Sequence, residues 1–204
     1  MSDTEAGDGV MALLAPPADA ATLHRLHARL EGRAAQDGLL DVAYTVVDSP
    51  VGELLLATTS RGLVRVAYAS EGHDAVLDAL AHKLSLRVLR APQRLDVVAR
   101  ELEEYFAKRR QVFDVPLDLS LSHGFGQLVQ RHLPEIGYGQ TRSYRQVAEL
   151  VGNPKAVRAV GTACATNPLP VVVPCHRVLR ADGSIGGYIG GAEAKTALLN
   201  LEAA

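Results

Sequence analysis

The stretch Val171-Val172-Val173-Pro174-Cys175-His176-Arg177-Val178 decides how the chain is read. Three β-branched apolar residues in succession predict a short buried strand, and Pro174, which has no N–H to give to a ladder, ends it where the cysteine begins. Cys175 is then presented at a strand end, next to a histidine and an arginine, a setting expected to lower its pKa and make its thiolate a nucleophile. The bland alternative is a buried, inert cysteine, because free cysteine is among the most buried residue types.

The residues on either side favour the first reading. Asn167-Pro168 lies upstream and Gly186-Gly187-Tyr188-Ile189-Gly190-Gly191 downstream. A strand, a Pro-Cys-His-Arg turn and a Gly-rich loop in that order resemble the O6-alkylguanine-DNA alkyltransferases, the methylated-DNA–protein-cysteine methyltransferases. The similarity is close from about Phe125 to Glu202 and weaker before it. It implies a fold of the α/β (α+β) class. A small ribonuclease-H-like N-terminal domain of β-meander and helices is followed by a helical, winged-helix-like C-terminal domain with a helix-turn-helix. The expected boundaries are an extension over 1–38, the N-terminal domain over 39–119, and a DNA-binding, alkyl-acceptor domain over 120–204.

Composition agrees with a soluble protein. The 204 residues are 48% hydrophobic, enough for a core. No apolar run reaches the roughly 18 residues of a membrane helix, and the acidic start Met-Ser-Asp-Thr-Glu-Ala-Gly-Asp is unlike a signal peptide, so a cytoplasmic protein without membrane contact is expected. The two cysteines, Cys164 and Cys175, fit free thiols in a reducing compartment. The scattered histidines show no metal-ligand spacing, so no metal is expected.

The net charge of −2 hides an uneven distribution. Between Gln140 and Arg180 stand six of the 21 basic residues, Arg142, Arg145, Lys155, Arg158, Arg177 and Arg180, against one of the 23 acids, Glu149. One surface can therefore meet phosphates while the rest stays acidic, although charge clusters are also common on plain solvated faces.

In the first half, Leu23, Leu26 and Leu30 recur at helical spacing and predict an amphipathic helix over Asp19 to Gln36 that docks on the body, a flexible extension being the alternative. Strands are expected at Val42 to Val47, Glu53 to Thr58 and Leu63 to Ala69. Helices follow at Ala75 to Leu84 and Arg94 to Arg109, with a short strand near Leu86 to Leu89 between them and extended chain from Val112 to Leu119. This half carries no nucleophile or phosphate loop, and its expected role is scaffolding.

In the second half, His123 to Ile136 fits a helix with Phe125, Leu128, Val129 and Leu133 on one face. Ser143-Tyr144-Arg145-Gln146 is a capping box that opens a helix with Val147, Leu150 and Val151 inward. Gly152 ends it, and Asn153 as N-cap with Pro154 at the first position starts another that runs to about Ala165. This pair makes a helix-turn-helix whose second helix is expected to expose Ala156, Ala159, Thr162 and Ala163 around Arg158.

The resemblance assigns roles. Cys175 attacks the alkyl carbon and guanine O6 leaves. Adjacent side chains do not face each other, so His176 is expected to act on the thiol through a bridging water, with Glu202 orienting it as the third member of a triad does. Tyr144 donates to the departing O6. Arg177 pairs with nearby acid or carbonyl groups. Asn167 and Pro170 shape the cysteine turn, Tyr188 packs against the base, and main-chain groups of Cys175, Val178 and Ile189 read its edge. The partner is double-stranded DNA carrying O6-alkylguanine, approached from the minor groove by a monomer, with the nucleotide flipped out and Arg158 filling the gap, because the alkyl group is unreachable inside the stack. The thioether product cannot be reversed, so the protein acts once per molecule and needs no cofactor. The chain departs from the family pattern at Gln130, where a tryptophan is usual, and at Ile189, where a small residue is usual.

Two other classes compete. A cysteine hydrolase needs an oxyanion hole and leaves the basic helix-turn-helix without a role. An alkyltransferase-like, lesion-sensing DNA binder with little or no transfer shares every feature except a use for Cys175.

Overall fold

Strand β2 (Leu54–Thr59) divides its side chains between two apolar layers, and the N-terminal half is built on that alternation. Leu54 and Leu56 face one core, and Leu55 and Ala57 the other. The computed structural model describes residues 19–203. Strands β1 (Val42–Val47), β2, β3 (Gly62–Tyr68) and β4 (Val88–Arg90) form one sheet in the order β3-β2-β1-β4, antiparallel except for the parallel β1–β4 pair. Helix α2 (His73–Lys83) covers one face with Val76 and Leu80. Helix α3 (Asp96–Phe106), entered through a 3-10 turn at Pro92–Leu95, covers the other with Val98, Leu102 and Tyr105. The predicted elements all appear here with bounds shifted by up to three residues, α3 ending at Phe106 and not Arg109, except that the 112–119 stretch makes only an isolated bridge, Leu117 to Leu63.

The N-terminal helix α1 (Ala20–Gln36) forms where its periodicity predicts, but not with the predicted face inward. Leu23, Leu26 and Leu30 are exposed, and the helix touches the body through His27, whose Nε2 lies 2.6 Å from the Arg90 carbonyl. The expectations for residues 1–18 lie outside the described residues.

The second half comprises α4 (Gly124–His132), β5 (Arg142–Ser143), α5 (Tyr144–Leu150), α6 (Val157–Ala165), β6 (Val178–Leu179) and α7 (Gly191–Glu202), with β5 and β6 paired in parallel. The capping box is present in both directions: Gln146 N–H donates to Ser143 Oγ and Ser143 N–H to Gln146 Oε1. The second helix of the helix-turn-helix starts later than predicted, at Val157, because Asn153 to Ala156 close a turn of their own through Ala156 N–H to Asn153 O. Asn153 therefore does not cap it. Ala159 and Thr162 are exposed as expected, whereas Ala163 is buried against α4, where Gln130 Nε2 donates to its carbonyl.

One apolar cluster runs from Leu54, Leu63 and Tyr68 through Tyr105 to Val129, Val147, Val160, Cys175 and Leu198 without a break at residue 120. No helix among the described residues is long and apolar enough to cross a membrane.

Candidate active site

The decisive stretch is buried but is not a strand. Residues 168–173 form a sequence of turns in which Val171 takes φ 72°, a left-handed conformation that costs a β-branched residue about 1–3 kcal/mol. Asn167 holds the turns in place. Its Oδ1 accepts from Leu169 N–H at 3.0 Å, its Nδ2 donates to Val173 O at 2.8 Å, and Val173 N–H closes on Leu169 O at 2.8 Å. β-propensity loses here to a buried amide that satisfies the backbone locally. Pro170 sits buried inside this turn. Cys175 accordingly opens a 3-10 turn, Cys175–Arg177, that leads into β6.

The thiol is 1% exposed, and Asn167 Nδ2 donates to Sγ at 3.1 Å. Burial pushes its pKa up to about 11, although the Asn167 hydrogen bond and the positive charge of Lys195 pull downward. The expectation of a lowered thiol pKa is thereby corrected: desolvation outweighs both neighbours, and neither His176 nor Arg177 spends its charge on the sulfur.

His176 is fully buried and its Nε2 lies 2.9 Å from Glu202 Oε1. Burial lowers its pKa, against the raising effect of Glu202, so the ring is neutral. A carboxylate only accepts, so Nε2 carries the proton and Nδ1 is the basic atom. Nδ1 is buried and has no hydrogen-bond partner among the described residues.

Glu202 is far from a loose terminal charge. Both its oxygens accept from Arg177, at 2.9 Å from Nε and 2.9 Å from Nη2, while Tyr105 O–H donates at 2.6 Å and Gly139 N–H at 3.3 Å. Burial alone would raise its pKa, but hydrogen bonds from His176 and Arg177 bring it down to about 2. Arg177 also donates to Ile136 O at 2.5 Å, which bears out its reading as a structural partner of acid and carbonyl groups. Gly139 takes φ 71° and passes so close that a Cβ there would stand 2.9 Å from Glu202 O.

The remaining expected residues fall as follows. Tyr144 begins α5, half-buried, with its hydroxyl against Gly186, and burial raises its pKa and keeps the O–H available to donate. Tyr188 stands edge-on to the His176 ring at 6.4 Å. Val178 is buried, and its carbonyl already accepts from Lys195 Nζ at 2.6 Å. Ile189 lines a groove of about 380 Å³ with Arg65, Glu71, Leu80, Thr166 and Pro168, and Cys175 is not among its walls. Arg158 is exposed on α6.

Three participants escaped sequence reasoning. Lys195 is fully buried beside the site, and the signal was its place on the inward stripe of α7 with Leu198 and Glu202. Tyr105 and Tyr68 belong to the half expected only to scaffold, yet one bonds Glu202 and the other bonds the Tyr188 hydroxyl at 3.0 Å. No group of three His, Cys, Asp or Glu side chains that could hold a metal occurs among the described residues.

With this geometry in hand, comparison with known proteins is specific. Residues 42–119 match the ribonuclease-like domain of 6-O-methylguanine DNA methyltransferase, and residues 124–204 match the DNA binding domain of the same family. A constitutive methylated-DNA–protein-cysteine methyltransferase of Bacillus subtilis is 38% identical over 163 residues, covering 78% of this chain and 94% of that protein. A methylated-DNA–protein-cysteine methyltransferase of Methanosarcina barkeri is 35% identical over 161 residues, covering 78% and 96%. The crystal structure of the Mycobacterium tuberculosis O6-methylguanine methyltransferase superposes with a TM-score of 0.70 at 38% identity, over 79% of this chain and 93% of that one. A structure of the same organism's OGT in complex with DNA gives 0.69, over 79% and 92%. Two domain matches in sequence order, relatives matched over nearly their whole length and a shared fold leave one assignment: the chain belongs to the 6-O-methylguanine DNA methyltransferase family.

Proposed function

We propose that this protein repairs DNA by moving the methyl or alkyl group of O6-alkylguanine onto its own Cys175, once per molecule. The observation that carries this reading is the buried array in which Asn167 donates to the Cys175 sulfur while the adjacent His176 keeps a bare Nδ1 and is backed by Glu202. The thiol is protonated at rest, so its proton must leave as the S–C bond forms. A bridging water carries that proton to His176 Nδ1, while the opposite N–H stays on Glu202 and the imidazolium formed is balanced by the carboxylate. The C–O6 bond breaks with its electron pair going to guanine, and Tyr144 donates to O6 as charge develops there. The thioether produced has no acidic proton and is a poor leaving group, so the thiol is not regenerated.

DNA is the partner. The helix-turn-helix of α5 and α6 approaches from the minor groove as part of a monomer, the exposed Arg158 fills the space of the flipped nucleotide, and the basic segment between Gln140 and Arg180 meets phosphates. Tyr188 packs against the extruded base, and main-chain groups of Cys175, Val178 and Ile189 read its edge. Asn167 and Pro170 fix the turn that carries the nucleophile.

The test is intact-protein mass after incubation with excess duplex containing O6-methylguanine, beside Cys175→Ala. The expected result is a gain of one methylene mass that stops at one equivalent and is absent from the variant. Tight, lesion-selective binding with no mass gain overturns transfer.

A further inference from the structure

The last residues of β3 reach out of the N-terminal half and grip both loops that shape the site. Val66 N–H donates to Pro168 O at 2.9 Å and Arg65 Nη1 donates to the same carbonyl at 3.2 Å, one residue from Asn167. Arg65 is also paired with Glu71, whose Oε1 accepts from Tyr68 N–H at 2.9 Å. Tyr68 itself is 2% exposed and extends beneath the 186–191 loop. Its hydroxyl lies 3.0 Å from that of Tyr188, and the two rings meet edge to face at 5.9 Å and 74°. The backbone of Gly190 rests on the Tyr68 ring so closely that a Cβ would stand 2.5 Å from Cζ. Tyr188 in turn stands edge-on to His176. A chain of contacts therefore runs from β3 to the general base, through the side chain assigned to pack on the flipped base.

We propose that Tyr68 is a positioning residue for alkyl transfer: its ring and hydroxyl set the depth of the 186–191 loop and so the size of the O6 adduct that the site accepts. This rests on the reading that Cys175 takes its alkyl group from O6-alkylguanine. Tyr68 is a positioning residue and not a catalytic one, because its hydrogen bond and ring contacts are with Tyr188 and Gly190. Without the hydroxyl pair, Tyr188 has no fixed height, a methylated base is held less well, and a bulkier adduct meets a wall that yields.

The experiment is a double-mutant cycle of Tyr68→Phe, Tyr188→Phe and the double variant. Single-turnover transfer rates are measured on duplexes carrying O6-methylguanine or O6-benzylguanine, and duplex affinity is measured in a Cys175→Ala background. Tyr68→Phe is expected to slow methyl transfer by about threefold to tenfold, the range of one hydrogen bond, with unchanged affinity and a benzyl-to-methyl rate ratio shifted upward. Tyr188→Phe should do the same, and the double variant should be no worse than either single one. An unchanged rate ratio, effects that multiply, or a change confined to affinity overturns the inference. If Tyr68→Phe fails to fold, Tyr188→Phe removes the same hydrogen bond from the other side and decides the matter by the same ratio. A wild-type protein that transfers neither group overturns the parent reading instead, and this one with it.

Discussion

Asn167 donates one side-chain amide group to two acceptors, the Cys175 sulfur at 3.1 Å and the Val173 carbonyl at 2.8 Å, so the residue that holds the turn also holds the nucleophile. Asn167→Ala is expected to raise the thiol pKa further, slow transfer by about tenfold or more, and cost about 1–3 kcal/mol through the unpaired Val173 carbonyl and Leu169 N–H. Iodoacetamide alkylation against pH and a denaturant melt separate the two effects.

Glu202 gathers donors from His176, Arg177, Tyr105 and Gly139, and its replacement tests the relay directly. Glu202→Gln should cut the single-turnover rate by at least about tenfold, since His176 loses the charge that balances its protonated form. It also leaves Arg177 buried without a carboxylate, an uncompensated charge that costs about 3–5 kcal/mol. A urea titration beside the rate measurement checks both.

Acid stability follows from the same pair. His176 has its pKa lowered in the fold, so below its ordinary value of 6.5 the unfolded chain binds the extra proton and stability falls as pH falls. Glu202 is depressed from 4.5 to about 2, so its contribution is full above about 4.5 and is lost as pH drops towards about 2. Chemical denaturation from pH 8 to 3 should show stability declining below about 6.5 and again below about 4.5, the second step flattening in Glu202→Gln.

The thiol titrates on the other side of neutrality. With its pKa near 11, the reactivity of free Cys175 toward iodoacetamide should keep climbing beyond pH 9 instead of levelling there. Rates measured between pH 7 and 10.5, with Cys175→Ala as the blank for Cys164, should rise throughout without reaching a plateau.

Two glycines of one loop should respond oppositely. Gly190→Ala drives a methyl into the Tyr68 ring and should cost about 1–3 kcal/mol, whereas Gly187, with nothing within 4 Å of the place its Cβ would take, should accept alanine within about 0.5 kcal/mol. Thermal melts of the two variants check the contrast.

Much of the fold was legible where local chemistry decides it. The Ser143–Gln146 box and the strand expected at Glu53 to Thr58 are local patterns that the structure keeps, the strand moved by one residue. The 171–173 turn was not legible, since the amide that overrides valine's strand preference sits at Asn167 and acts only once buried. The α1 leucines misled because periodicity marks an apolar stripe without saying what covers it. In the site, Cys175 and His176 could be placed by their motif, and Glu202 by the family resemblance. Tyr68 could not, because its contact with Tyr188 spans 120 positions and leaves no local spacing to find.

The unbroken apolar cluster from β2 to α7 has a practical consequence for following this protein in solution. Cys164 and Cys175 are both buried and free, and they lie in the same cluster as the sheet's Leu54 and Leu63. Loss of the sheet therefore unmasks both sulfurs together, and a thiol-reactive dye becomes a clock for cooperative opening of the whole molecule. The labelling rate of Cys164, the sulfur that transfer does not use, then measures how rarely the entire core comes apart.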